Sequence, residues 1–577
     1  MTDNTYKCTV PYRDYQNWEF SNEKGESLDS NTLGNPLEYK LFDGDAFVWD
    51  EHSREINIVR SPTRMNTNIP GILLLENNRT FGRTANKKRL YYKCRPHDTK
   101  LPHFLIPYDM PMGFNKNFKN KYVTFTFDHW NDKHPYGLLS QNLGEVYDFP
   151  SYCEYILYCK QLHEPITNSI NHTKEALKKK SIREYQTDIL NAPHTYGHFS
   201  NREKQTVFSI DPEGCVDRDD ALSIETLPHN EHEIQYKVSV YIANVWVWLN
   251  VLDLWDTIGQ RVSTMYFPIM KRPMLPTAVG EQLCSLDQDH RRFGFVMDFV
   301  ICKDLSSGEI RMETKPMPSL HQCFLKVSRN FDYEEPALRN YSPYKDLLEL
   351  TKGLDATIQD SHDVVAYWMM QMNYYAAKRM KQKHIGIFRC VSSKCPNAQV
   401  PRDAPAFLKI LEQQLSGSYA TYHAKGEYAH EVLGFSEYIH FTSPIRRMVD
   451  LLNQINWVKT ALKPKEWNAR ITEFCDTQIN QLDVLNQKMK KIRRMQADCD
   501  ILYKITHQPE HLTTVYEAVV VSSDASSGKT SLYIEPLQWL TQVHTDQSYA
   551  KYDTVKCQLF VFEKEEQMKK KIRVQIL

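Results

Sequence analysis

The strongest chemical signal in the sequence is Ser209-Ile210-Asp211-Pro212-Glu213-Gly214-Cys215-Val216-Asp217-Arg218-Asp219-Asp220-Ala221, which places four aspartates within ten residues and one arginine among them. Ionised carboxylates held that close repel one another unless a cation sits between them. The donors on offer are oxygens, with no His or Cys cluster beside them, which favours Mg²⁺ or Mn²⁺ over zinc. A calcium loop is excluded by spacing. It needs a ligand at the fifth position and Glu at the twelfth, whereas counting from Asp217 puts Ala221 fifth and counting from Asp211 puts Leu222 twelfth. The plain alternative is a solvated acidic loop. Against it stand the apolar runs on either side, Thr206 to Ile210 and Leu222 to Glu225, which read as strands that would carry the acids to the rim of a core.

A second candidate is His440-Phe441-Thr442-Ser443-Pro444-Ile445-Arg446-Arg447-Met448-Val449-Asp450-Leu451-Leu452. Ser443 suits a helix N-cap and Pro444 the first helical position, with Ile445, Met448, Val449 and Leu452 as the apolar stripe. A helix start attracts anions, and two arginines in its first turn add forked donors that match phosphate oxygens. The competing reading is an ordinary capped helix whose Arg446 pairs with Asp450 at i+4. Facing a carboxylate–metal cluster, the same arginines would complete a phosphoryl-transfer site. Thr264-Met265-Tyr266-Phe267-Pro268, Pro273-Met274-Leu275-Pro276 and Leu283-Cys284-Ser285-Leu286 lie in a long irregular segment. In it Tyr266 and Phe267 could stack on bases, although an aromatic beside a proline is more often core packing. Trp246 and Trp248 belong to a core.

Several elements must position these groups. Ala46 to Trp49, Gly71 to Leu75 and Lys121 to Trp130 read as strands, the last alternating so that Val123, Phe125 and Phe127 share a face. Residues 151–185 read as helical and end in Lys178-Lys179-Lys180. Val238 to Trp255 reads as a buried strand followed by a helix, too interrupted by Asn244, Asn250 and Asp253 to span a membrane. Trp467 to Tyr503 has helical spacing with a basic face from Lys488 to Arg494. Val515 to Val521, Ser531 to Glu535, Val555 to Phe562 and Ile572 to Leu577 predict a closing barrel.

Lys plus Arg and Asp plus Glu are both 71, so positive charge for a nucleic acid would have to be gathered locally. The 577 residues suffice for several domains. The 13 cysteines include no CxxC pair, the closest being Cys153/Cys159 and Cys390/Cys395. Reduced thiols in the cytoplasm or nucleus are the simplest reading.

Together the motifs resemble the ribonuclease II family, also called the RNB family, whose members include bacterial ribonucleases II and R and the exoribonuclease subunit of the exosome. The family's aspartate, five residues, then D-x-D-D is met by Asp211, Asp217, Asp219 and Asp220. HFTSPIRR stands letter for letter at 440–447, and the stretch from Tyr266 to Leu286 is similar to the family's YfP…PMLP…LCSL. Arg95-Pro96 to Pro107 and Pro135-Tyr136-Gly137 to Gly144-Glu145 look like the second cold-shock barrel of the exosome-type members.

The resemblance implies a multidomain α+β fold: a partial cold-shock-like region at 1–66, a cold-shock/OB barrel at 67–150, a helical connector at 151–196, a mixed α/β RNB catalytic domain at 197–508, and a C-terminal OB-type RNA-binding barrel at 509–577. It further implies Mg²⁺-dependent or Mn²⁺-dependent, processive 3′-to-5′ hydrolysis of single-stranded RNA to nucleoside 5′-monophosphates. The four aspartates would form the metal set, with Asp219 the most critical to chemistry. Arg446 would neutralise the scissile phosphate, Arg447 would support it, and Tyr266 would stack on a base near the 3′ end. A monomer able to join a larger RNA-decay complex, without a membrane, completes the expectation. The chain departs from the pattern at Tyr241-Ile242-Ala243-Asn244-Val245, where the family reads HIADV, and around Tyr367, where an acid is usual, although Asn373 fits. The rival reading is an inactive RNB-type protein that only binds and regulates mRNA.

Overall fold

The alternation at Lys121 to Trp130 becomes the strand Lys121–Phe127, with Val123 and Phe125 fully buried on the face the pattern predicts. Tyr122 and Thr124, on the opposite face, are buried as well. Helix Phe149–Cys159 covers that side, and the Tyr155 ring stacks on Tyr122 at 4.4 Å between centroids. The computed structural model describes residues 5–22, 24–27, 33–50, 55–109, 118–228, 231–392, 416–524, 526–564 and 569–577. They form a multidomain α/β chain that divides into two units, one of residues 1–163, 267–270 and 493–577, the other of 164–266 and 271–492.

The first unit contains three antiparallel sheets, each with its own apolar core. Thr5–Thr9, Glu19–Asn22, Ala46–Asp50 and Glu55–Arg60 make one, closed over Phe20 and Phe47. Six strands between Ile69 and Glu145 make the second, a cold-shock/OB-type sheet over Phe42, Phe104 and Phe125. The third is a five-stranded, barrel-like sheet between Val515 and Ile576, into whose core Ile501 and Ile505 project. It contains a strand, Trp539–His544, that the sequence pattern does not signal, because Val543 is its only buried residue. The twelve described cysteines are free thiols; Cys395 lies outside the described residues. No described helix is long and apolar enough to cross a membrane.

The second unit is built on a seven-stranded sheet: β1 (Ser200–Asn201), β2 (Val207–Asp211), β3 (Asp220–Thr226), β4 (Glu233–Ala243), β5 (Arg291–Asp304), β6 (Ile310–Met312) and β7 (Leu320–Asp332). Successive pairings run β2–β3, β3–β4, β4–β5, β5–β7 and β7–β2, so five strands close on themselves. All but one are antiparallel; β2 and β7 run parallel, with Asp211 beside Asp332. β4 is buried from Val238 onward and leads straight into helix Val245–Val251, which holds Trp246 and Trp248 in the core as the sequence predicts. Helix α1 (Ser361–Gln382) starts from a reciprocal capping box between Asp360 and Asp363. Helix α2 (Met448–Trp457) buries nearly every side chain it carries.

Candidate active site

The aspartates sit where two strands of the closed sheet end. β2 finishes at Asp211, β3 begins at Asp220, and the intervening turn is closed by the Cys215 amide donating to the Pro212 carbonyl at 3.0 Å. Gly214 in that turn has φ +72°, a conformation glycine adopts without a Cβ penalty. The four acids then find different partners. Asp211 accepts from Ser209 Oγ at 2.7 Å, and Arg218 Nε stands 3.5 Å away. The Arg218 fork itself is held by Asp287 at 3.0 Å. Asp217 faces Lys271 Nζ at 3.3 Å and the Tyr266 hydroxyl at 3.4 Å. Both Asp219 oxygens are engaged, Oδ1 by the Ile445 amide at 2.8 Å and Oδ2 by Arg446 Nε at 3.0 Å. Among the described residues, no hydrogen bond or ion pair reaches the Asp220 carboxylate.

The segment that supplies Arg446 differs from expectation. The helix begins at Met448, not after Ser443, and residues 444–446 form a turn. Arg447 is extended (φ −136°, ψ 126°) because it bridges to Ser263, and the Arg446 carbonyl accepts from both the Thr264 amide and Ser263 Oγ. Ser443 caps nothing with its own oxygen toward α2; its amide instead donates to Asp450 at 2.7 Å. Asp450 pairs with Arg447 at 3.0 Å rather than with Arg446, so the ordinary-helix reading assigned the wrong arginine. That leaves Arg446 to the acids, with 46% of its side-chain surface open against 2% for Asp219. Asn373 fixes the turn from below, accepting from the Phe441 amide and donating to Thr442 and Tyr438.

Burial sets the electrostatics. It pushes the Asp219 carboxyl up to about 7, against the opposing pull of Arg446 and the Ile445 amide. It raises Asp211 as well, opposed by the Ser209 hydroxyl and Arg218. Asp220 is raised well above its ordinary range, by burial and then by the charge of Asp211. The carboxylate of Asp219 raises Arg446 above its ordinary range, in spite of desolvation. The acids line a cavity of about 460 Å³ shared with Tyr266, Tyr333, Lys271 and Arg446. Among the described residues, no three His, Cys, Asp or Glu side chains are disposed to hold a metal ion together. Asp211 and Asp220, which repel one another, nevertheless offer the oxygen donors a hard cation takes. Mg²⁺ is commonly held by one or two carboxylates, with water and substrate phosphate completing its shell.

Residues 200–337 match the family model of the RNB domain. Residues 91–161 match that of the Dis3-like cold-shock domain 2. Ribonuclease R of Chlamydia trachomatis serovar D is 26% identical over 314 residues, a match covering 42% of this chain and 44% of that protein. The chain thus spans under half the length of the curated relatives it matches. Among solved structures, Mycoplasma genitalium RNase R in complex with ribose methylated single-stranded RNA shares the fold, with TM-score 0.66 and 15% identity over 99% of this chain and 100% of that one. Yeast Ssd1, described as a pseudonuclease, does so with TM-score 0.54 and 13% identity over 97% and 81%. The RNB resemblance carried by the motifs is borne out.

Within and beside the RNB domain the structure adds residues that the motifs did not single out. Lys271 enters the acid cavity from the strand Met270–Arg272, paired with the strand that carries Tyr266. Tyr333 arrives because β7 runs parallel to β2; its amide donates to the Asp211 carbonyl at 3.0 Å, and its ring stacks on His362 at 3.8 Å. Neither has a local sequence signal: Tyr333 depends on the distant β2–β7 pairing, and Lys271, though on a local strand pair, on meeting Asp217 from a distant loop. Tyr266 is 39% exposed, as a stacking residue must be. At the departures from the family pattern, the buried Asn244 donates to Gln322 at 2.9 Å while its Oδ1 lacks a partner among the described residues, and Tyr367 packs edge-on against Trp368.

A second pocket lies in the cold-shock barrel of the first unit. It measures about 310 Å³ and brings together Arg79, Lys93, Arg95 and His103 beside Phe81, with Glu76 as its single acid. Arg79 and Lys93 lie over the Phe81 ring at 5.4 and 5.2 Å. Burial, then Arg79, Lys133 and Arg95, lowers the Lys93 ammonium; burial, then Arg13, Lys93 and Arg95, lowers His103 to about 3.

Proposed function

We propose that this chain is a Mg²⁺-dependent 3′-to-5′ exoribonuclease that hydrolyses single-stranded RNA processively to nucleoside 5′-monophosphates. The observation that carries the reading is the Arg446–Asp219 pair at 3.0 Å, which sets a half-open guanidinium beside the other three acids in one cavity. Guanidinium and carboxylates in that relation fit a phosphodiester: cationic donors neutralise the phosphate while the acids hold a cation on its other side. Asp211 and Asp220 would hold the ion, which supplies charge neutralisation and an activated water.

The remaining roles belong to this chain's own side chains. Asp219 fixes the tilt of Arg446 through Nε and Ser443 Oγ accepts from Nη2 at 3.1 Å, leaving Nη1 and the outer Nη2 hydrogen to take phosphate oxygens. Arg447 is committed to Asp450 and supports the turn rather than the phosphate. Tyr266 offers an exposed ring on which a base near the 3′ end can stack, its hydroxyl turned toward Asp217. Asp217, with Lys271 beside it, shapes the wall below that ring. The basic pocket at Arg79, Phe81 and Lys93 suits a nucleotide phosphate and base. On this reading the chain works as a monomer in the cytoplasm or nucleus, able to join a larger RNA-decay assembly.

The test is a 5′-labelled single-stranded RNA incubated with Mg²⁺ and then with EDTA. Laddering to short ends that EDTA abolishes supports the enzyme. A mobility shift without cleavage, equal in both buffers, supports the second reading, a binding-only RNB protein. That alternative draws on the fold shared with Ssd1 and on the family-pattern losses at Asn244 and Tyr367.

A further inference from the structure

We propose that the Lys271 ammonium takes the position of a second cation in the acid cavity, so that this chain binds a single divalent ion, through Asp211 and Asp220. The inference rests on the metal-dependent reading above and makes its stoichiometry specific. Four clustered carboxylates could in general serve two metal ions. Here they are divided. Asp219 has no free oxygen, one being bonded to the Ile445 amide and the other to Arg446. Asp217 faces Lys271 Nζ at 3.3 Å.

Lys271 is held in that position from behind. Its Nζ lies 2.6 Å from Glu281 Oε1, on the wide helical turn Ala278–Cys284, and only 28% of its side-chain surface is exposed. The ammonium is therefore bracketed by two carboxylates that belong to different elements. An ion bound at Asp217 would have to stand against this fixed positive charge within a few ångströms, where like-charge repulsion in a partly buried cavity is strong. Asp220 has no such occupant among the described residues, and Asp211 is addressed at Oδ2, by the Ser209 hydroxyl and by Arg218 at 3.5 Å. Arg218 is itself engaged by Asp287, and the charge of Asp211 raises Asp220. Of the four acids, this pair alone combines repulsion with available oxygens. Lys271 is thus a positioning residue: it satisfies Asp217, whose other neighbour is the Tyr266 hydroxyl, and confines the divalent ion to the opposite wall.

The experiment is Mn²⁺ titration of the RNA-free chain, read by electron paramagnetic resonance of the free ion and by calorimetry. Wild type is expected to bind one equivalent, D220N none with at least a tenfold loss of affinity, and D217N one, with affinity within about threefold of wild type. K271A should gain a second equivalent that K271R does not. Two equivalents of similar affinity in wild type, or D217N losing the ion as D220N does, would overturn the proposal, as would K271A remaining at one. Should K271A fail to fold, the D217N and D220N comparison decides alone. Because stoichiometry is read without RNA, the outcomes separate: one bound ion with no RNA cleavage keeps this inference and sinks the nuclease reading, while cleavage with two bound ions does the reverse.

Discussion

In the acid cavity of the RNB domain, charge is gathered at strand ends and much of it is answered by a partner: Asp219 by Arg446, Asp217 by Lys271, Asp211 in part by Ser209 and Arg218. In the pocket of the cold-shock barrel, cations are gathered around an aromatic ring with one acid among them, and burial followed by the neighbouring cations lowers the Lys93 ammonium. The two differ in what they require. A cavity whose charges are already paired needs its partners in fixed geometry, because a displaced arginine leaves a buried carboxylate uncompensated. A pocket of crowded cations needs only an anion, and many polyanions will serve. Chemistry is thus expected to depend on single atoms in the first and affinity on summed charge in the second.

The largest test of that contrast is Asp219→Asn. It keeps the shape but removes the charge that tilts Arg446, and hydrolysis should fall by about a thousandfold, the scale of losing a preorganised charge-stabilising contact. Filter binding should meanwhile show RNA affinity nearly unchanged. Parallel loss of both would reduce Asp219 to a structural residue. Next, Arg79→Ala with Lys93→Ala should weaken RNA binding about tenfold and flatten its salt dependence by about one to two units in the log–log slope. Single-turnover cleavage at saturating RNA should stay within about twofold; a matching fall in that rate would erase the division between the pockets. Tyr266→Ala should lengthen the limit product seen on a sequencing gel, since the last stacking contact is removed. An unchanged ladder would remove Tyr266 from the 3′ end.

Two smaller effects concern protons. Since burial raises Asp219 to about 7, and Asp211 and Asp220 upward, the cleavage rate at saturating Mg²⁺ and RNA should drop as pH is lowered through about 7. A flat profile from pH 6 to 8 would show the acids fully ionised throughout. For stability the sign is the reverse. A carboxyl whose folded value exceeds its unfolded one favours the neutral acid, so its contribution is complete below the ordinary value of 3.8 and is lost as pH rises through the raised value. Asp220→Asn should therefore raise the melting midpoint of the metal-free protein at pH 8 by about 2 °C, and the gain should shrink toward pH 4. A lowered midpoint at pH 8 would mean that Asp220 is a stabilising group.

Local pattern carried much of this. The strands flanking the aspartates, the burial of Trp246 and Trp248, and the alternation at Val123 and Phe125 could be read from neighbouring residues, whereas the meeting of HFTSPIRR with the acid cluster was implied by the family resemblance alone. What escaped was decided by distant segments. Arg447 is drawn into an extended bridge by Ser263, which no helix propensity at 443–447 can foresee. Tyr333 reaches the cavity through a strand pairing whose partner lies far away in sequence, and Lys271, on a local pair of short strands, resembles an ordinary surface lysine until Asp217 and Glu281 are placed around it. Trp539–His544 was missed because its one buried position leaves no periodicity to detect.

One detail of the turn at Arg446 has a mechanical corollary. The Arg446 carbonyl is tied to Thr264 and to Ser263, and the Met448 amide to Val262, just ahead of Tyr266. Tyr266 and Arg446, the proposed stacking ring and phosphate grip, are consequently mounted on one bracket, like the two jaws of a set caliper. Step length along a strand would then be a property of covalent geometry rather than of closing motions, and substitutions at Ser263 should blur the spacing of successive cuts even though this serine touches no substrate.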